Sequence, residues 1–382
     1  MRLGLAGLCM LAAIALGASC ARAEIKVGIV VSATGPGSAL GQPQLKTVAA
    51  LPKEIAGETI TYIVLDDESD SVKGLQNARR LVIQDRVDVL IGSSLTPVTM
   101  PMLDVALESK TPLLSMAAST AIVQPMDDKR KWAFKVVPND DLMAKAILKH
   151  IARSGIKTLG YIGVSDGYGE GYYQEISRLA PELGLSITTH EVYARADTSV
   201  TGQALKVIST NPEAVFIASA GTPAVLPQQA LRERNYAGKI FQTHGVATQE
   251  FVNLGKENVE GAVFAGEAFS IADDLPADSP FRRATEEFVS AYQAVNGSKP
   301  NIFAAHLWDT VALLKRAIPV ALKAASPGTA ELRAALRDAL EHSKDVYLNN
   351  GLSNMSPTDH NGYDERSAFL IKVDGGKFRV AQ

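Results

Sequence analysis

Two α/β lobes, each built around a parallel sheet, are the fold this 382-residue sequence predicts, and three observations predict it. Short apolar runs alternate with helix-like stretches along almost the whole chain. One unit, Asp88 to Thr120, reads strand, small polar turn, helix, strand, small polar turn, and it is echoed at Glu213 to Thr248, about 125 residues later. The length is too great for one ordinary domain and comfortable for two.

The chain opens with Arg2, an apolar run from Leu3 to Ala18 and an A-x-A site at Ala21-Arg22-Ala23. That pattern predicts a secretory signal peptide over residues 1–23, cleaved before Glu24, and is too short for a stable membrane span. Both cysteines, Cys9 and Cys20, fall inside it, so the mature chain has no thiol for a disulfide, metal site or nucleophile. A lipoprotein reading through Cys20 is the weaker alternative, because Gly17 stands where a bulky aliphatic residue is usual. Removing Arg2 and Arg22 leaves 36 basic against 41 acidic residues, a net charge near −5, with no basic block for nucleic acid. An apolar content of 46% with 21% charged residues is ordinary for a globular protein.

In chain order, Ile25 to Val31 reads as a strand, 32–37 as a turn and Ser38 to Leu51 as a helix with Pro43 near its start. Ile60 to Asp66 is a strand, and Val72 to Gln84 an amphipathic helix. The first repeat unit follows, with turns at Ser93-Ser94 and Ala117 to Thr120. Trp132 to Pro138 is an extended crossing segment. Asp141 to Ser154 is a helix, Thr158 to Val164 a strand, Ser165 to Gly171 a glycine-rich turn and Tyr172 to Leu183 a helix. Ser186 to Tyr193 is a strand and Val200 to Thr210 a helix. The second repeat unit carries turns at Ser219 to Thr222 and His244 to Thr248. Gly261 to Ala268 is strand-like, Asp273 to Ser279 has linker composition, and 281–295, 304–324 and 329–342 are helices. Residues 351–362 are turn-rich, and two last strands flank Gly375-Gly376.

The chemistry concentrates in the turns. In a parallel sheet they lie at the carboxyl edge, where helix amino termini present free N–H groups and partial positive charge. Small hydroxyl residues there suit a carboxylate. Gly167-Tyr168-Gly169-Glu170-Gly171 superficially resembles a dinucleotide fingerprint, but Tyr172 replaces the third glycine. Tyr168 either points into a cleft or decorates a surface turn. His244 either donates to a bound oxygen or plays a supporting or surface role. The six histidines show no metal-ligand spacing, and no HExxH, G-x-S-x-G or P-loop occurs, so neither a metal nor a cofactor is expected.

The segments IKVGIVVSATGPGSALG, VDVLIGSSLTP, TPLLSMAAST, SDGYGEGYYQE, FQTHGV and AHLWDTVALL, in this order, make the mature chain similar to the type I periplasmic solute-binding proteins, specifically the leucine/isoleucine/valine-binding branch. The resemblance implies two Rossmann-like lobes joined by three crossing segments, near Pro138, Ala268 and residues 350–362. Lobe 1 is then 24–138 plus 269–350, and lobe 2 is 139–268 plus 351–382. It also implies closure on a small ligand and delivery to an ABC permease in the inner membrane. By the same resemblance, Ser93, Ser94, Thr96, Ala117, Ala118 and Ser119 hold a carboxylate, Tyr168 closes over it, and Leu40, Gly221, His244 and Gly245 complete the site.

The sequence departs from the family where an acidic residue before the position of Gly245 pairs with the ligand's ammonium; His244 stands there instead. An ammonium buried without its carboxylate costs several kcal/mol. Burying an aromatic ring of ~150 Å² or more contributes roughly 4 kcal/mol. The expectation is therefore a periplasmic binding protein, not an enzyme, favouring a benzoate- or hydroxycinnamate-like acid. In the alternative, Glu170, Asp166 or Glu267 takes the ammonium of a branched-chain amino acid. The rival class is an exported hydrolase using Ser93, Ser119 and His244.

Overall fold

The computed structural model describes residues 24–381; the predicted signal peptide, with Cys9 and Cys20, lies outside them, as does Gln382. The first sheet begins with β1 (Ile25–Val31), whose side chains are almost all buried, as expected of a strand covered on both faces. Helix α1 (Ser38–Thr47) follows, with Pro43 inside its second turn, where the ring removes one backbone donor. A single 3₁₀ turn, Val48–Ala50, ends it, so the helical stretch expected to Leu51 is tightened in its last turn. Strands β2 (Glu54–Ile55) and β3 (Glu58–Asp66) form a hairpin, and α2 (Ser71–Ile83) starts at Asp70, whose carboxylate accepts from Lys73 N–H. Then come β4 (Val89–Ile91), α3 (Thr96–Ser109), β5 (Leu113–Ser115) and β6 (Ala133–Lys135). The sheet order is β2-β3-β1-β4-β5-β6, parallel except for the hairpin.

The second sheet starts after α4 (Asp140–Arg153), with β7 (Thr158–Val164), α5 (Gly167–Leu179), β8 (Ser186–Tyr193), α6 (Thr201–Ser209), β9 (Ala214–Ala218), α7 (Val225–Arg232), β10 (Lys239–Gln242), α8 (Gln249–Gly255) and β11 (Val263–Gly266). Helices α9 (Pro280–Asn296), α10 (Ile302–Ala321) and α11 (Ala330–Glu341) come next. A small hairpin, β12 (Val346–Tyr347) and β13 (Leu352–Ser353), precedes β14 (Phe369–Asp374) and β15 (Lys377–Val380). Its order is β15-β14-β11-β10-β9-β7-β8, with β7 to β11 parallel and the last two strands antiparallel.

The expected glycine-rich turn at 165–171 is instead the start of α5. Asp166 caps it, accepting from the N–H groups of Tyr168 and Gly169. The glycines serve packing: a Cβ on Gly169 would lie 2.0 Å from the carbonyl oxygen of Val164, so only glycine lets α5 sit this close to β7.

Helix α10 lies against α1, with Thr47 Oγ1 donating to the carbonyl of Ala304, so the chain returns to the first sheet before β14 rejoins the second. Three segments pass side by side between the sheets. Asn361 accepts from Asn139 N–H and donates to the carbonyls of Lys135 and Val137, while Tyr363 Oη donates to the carbonyl of Val136. Phe269 N–H donates to Asn349. The segment around Trp132 to Pro138 thus carries β6 and then crosses.

Candidate functional site

In both sheets the chain reverses its direction of travel beside the first strand: between β1 and β4, and between β7 and β9. Such switch points leave a crevice beyond the strands' carboxyl ends, because the flanking turns diverge to opposite faces. The two crevices face each other. Thr96 approaches Gly167, Ser119 approaches Gly171, and Leu40 and Ala39 approach Gly221, where an added Cβ would come within 3.1 to 3.6 Å of them.

Between them lies a narrow cleft. Ser94, Leu95 and Thr96 follow β4; Met116, Ala117 and Ala118 follow β5; Val137 follows β6. Across the gap, Tyr168 follows β7, Arg195 follows β8, Ala220 follows β9, and His244 and Gly245 follow β10. Leu40 on α1 and Phe303 and His306 on α10 complete the wall.

Of the expected site residues, Leu40, Ser94, Thr96, Ala117, Ala118, Tyr168, His244 and Gly245 are brought together here. Three are placed differently. Ser93 is fully buried behind the cleft, and its hydroxyl donates to Asp67 at 2.6 Å. Ser119 caps the next turn, accepting from Ala121 N–H. Gly221, at φ +68°, touches α1 across the gap rather than lining the cavity. Ser94 Oγ is itself occupied, accepting from Ser32 N–H and donating to Gln44.

Arg195 was missed by sequence reasoning, although its place just past a strand end is the same signal that marked the other turns. Its Nε donates to Asp166 Oδ2 at 2.6 Å, and its guanidinium carbon stands 5.9 Å from the centre of the Tyr168 ring. Its Nη1 is buried without a partner. Thr96 Oγ1, Tyr168 Oη and both ring nitrogens of His306 are likewise unpartnered. Native proteins rarely bury polar atoms unpaired, since each costs about 1–3 kcal/mol, so these five atoms beside the cleft are open to a bound molecule.

A cation stands behind each side of the cleft, Arg195 on one and Lys135 on the other. Lys135 is fully buried behind the β5 turn and donates to the carbonyls of Ala118 and Ser119, with burial pushing its ammonium down to about 8. Asp166, on the facing lobe, is engaged by Arg195 and by its capping bonds; Asp140, at the start of α4, is fully buried with neither oxygen bonded, and burial pushes its carboxyl up to about 7. Glu267, just past β11, is fully buried with both oxygens unpartnered, and burial pushes its carboxyl up to about 8. His244 is pushed down to about 3 by burial, so it is neutral; Tyr172 Oη lies 2.9 Å from its Nδ1. A hydrolase would need Ser93, Ser119 and His244 in contact, and the hydroxyl of Ser93 and the ring of His244 have other partners.

A family model described as periplasmic binding protein matches residues 24–377. The chain is 21% identical to Leu/Ile/Val-binding protein homolog 3 of Brucella melitensis over 94% of each chain. An extracellular ligand-binding receptor from Rhodopseudomonas palustris HaA2, of solved structure, is 66% identical, with a TM-score of 0.93 over 94% of this chain and 100% of that one. A solute-binding protein of an ABC transporter from R. palustris, solved in complex with benzoate, has a TM-score of 0.80 at 19% identity, covering 94% of this chain and 95% of that one.

Proposed function

The chain belongs to the periplasmic binding protein family, and from that premise we propose that it captures a small aromatic carboxylate for an ABC importer. The jaws of this reading are 24–138 with 269–350, and 139–268 with 351–382. Hinge motion at the three crossing segments closes them on the ligand, and an inner-membrane permease receives it. On this reading residues 1–23 direct export and are then removed, which leaves the mature protein in the periplasm.

Relatives of this fold carry names that speak of aliphatic amino acids and of benzoate, so the fold does not choose between them. The observation that carries the choice is the charge balance of the cleft. Its unpartnered donors include a guanidinium, Arg195 Nη1, while no carboxylate among the described residues lines it to meet an ammonium. Thr96 Oγ1, Arg195 Nη1 and the β4 and β5 turns then hold the ligand's carboxylate. Leu40, Leu95, Met116, Val137 and Phe303 supply the apolar wall for a ring.

One observation favours a branched-chain amino acid instead: Glu267 would pair with an ammonium if the ligand's charge drew its proton off. Thermal-shift measurements with benzoate, cinnamate, leucine and valine separate the two. The aromatic acids are expected to raise Tm, and a shift with leucine or valine alone refutes the aromatic reading.

A further inference from the structure

Three buried groups in and beside the cleft have no role in holding a carboxylate. His306, at the start of the second turn of α10, lines the cavity with neither ring nitrogen bonded. Glu267 has no hydrogen-bond partner, and its Oε1 lies 4.0 Å from Nε2 of His244. His244 is bonded only through Nδ1, to Tyr172. The three are 3%, 0% and 3% exposed.

Burial holds each of them uncharged, with both imidazoles pushed down to about 3 and the carboxyl up to about 8. A neutral imidazole has one donor and one acceptor, and so does a protonated carboxyl. The complement of such a set is a group that both gives and takes a hydrogen bond. An ammonium only gives, so it would leave each N–H and O–H of the set unpaired. A second carboxylate only takes. A bare C–H edge leaves every one of these atoms unpaired. A hydroxyl matches.

The ring of Phe303 stands 5.6 Å from that of His306 at 84°, so apolar wall and polar corner adjoin. Resting on the reading of the cleft as an aromatic carboxylate site, we propose that His306, with His244 and Glu267, forms a second polar pole that recognises a hydroxyl on the ligand's ring. The preferred cargo is then a hydroxylated aromatic monocarboxylate, not the unsubstituted acid. A site built to bond a hydroxyl discriminates strongly against the analogue lacking it, because its own polar groups are left unpaired.

The test is calorimetric titration with two matched pairs, benzoate with 4-hydroxybenzoate and cinnamate with 4-hydroxycinnamate, on the mature wild-type chain and on His306→Phe. In at least one pair the hydroxylated member is expected to bind wild type about tenfold tighter or more, and His306→Phe is expected to bring that ratio near one. Equal binding within both pairs by the wild type overturns the proposal, whether or not the variant folds, and leaves the aromatic carboxylate reading intact. A preference that survives His306→Phe unchanged also overturns it. Failure of all four acids to bind, with leucine binding, overturns the parent reading and this proposal with it.

Discussion

Arg195 and Glu267 carry most of the ligand argument at the scale of single residues. Replacing Arg195 by Met keeps the length of the side chain and removes the charge that faces the cleft. Affinity for an aromatic carboxylate is expected to fall about tenfold or more, on the scale of one lost charge-assisted hydrogen bond. Unchanged affinity would put the carboxylate elsewhere. Glu267 gives a pH signature. Its folded pKa is raised from 4.5 to about 8, so between those values the native state holds a proton that the unfolded state has released. Stability from this group is therefore present below pH 4.5 and is lost as pH rises toward 8. Glu267→Gln removes that loss, and its advantage over wild type in urea unfolding is expected to grow from near zero at pH 4.5 to about 2 kcal/mol or more at pH 8. An advantage independent of pH would mean that Glu267 is ionised when folded. In the sequence, His244 is legible through a family position, and Glu267 only as one of three acids that could meet an ammonium. Sequence reasoning misses His306, which lies in an apolar helix with no strand end to mark it, and it credits Ser93 with a role that Asp67 has taken.

Among the elements, α5 and the turn after β9 are where glycine decides geometry. Gly169→Ala would set a Cβ 2.0 Å from the carbonyl oxygen of Val164, forcing α5 away from β7. The expected cost is about 2 kcal/mol or more in denaturant unfolding; a loss within a few tenths would mean that the helix is loosely seated. Gly221 answers a different need. Its φ of +68° disfavours a side chain, and an added Cβ would stand 3.1 Å from Leu40 across the gap. Gly221→Ala is expected to lose ligand affinity by more than its stability loss of roughly 1 kcal/mol accounts for, because the methyl obstructs the approach of the jaws. Equal losses in both would refute that. The alternation of strands and helices was legible throughout, since buried parallel strands and amphipathic helices leave strong patterns. The glycine run at 167–171 was read as a turn because spacing alone does not distinguish glycine that bends a chain from glycine that admits a close neighbour. The two-residue strands at 346–347 and 352–353 are too short to leave a period.

For the whole molecule, the last crossing segment is anchored to α10 by buried hydrogen bonds where it begins. Asp309 on α10 accepts four hydrogen bonds from the backbone and side-chain amides of Asn349 and Asn350, at 2.7 to 3.2 Å. Asp309→Ala is expected to destabilise the protein by about 3 kcal/mol, measured by thermal unfolding; a neutral outcome would mean the crossing is held by its other contacts. The two-lobe plan was visible in the repeated strand–turn–helix units, and the return of the chain to the first lobe over 269–350 followed from the family resemblance; composition alone did not give it, because long helices of similar composition carry no mark of which sheet they cover. On the reading proposed above, facing strand-end turns close on an aromatic acid and release it unaltered. Titration of benzoate and 4-hydroxybenzoate into the mature protein, with recovery of the ligand afterwards, tests it most directly. One site per chain for at least one acid and intact recovered ligand are the expected results, whereas no binding of either acid, or a chemically changed one, would contradict the account.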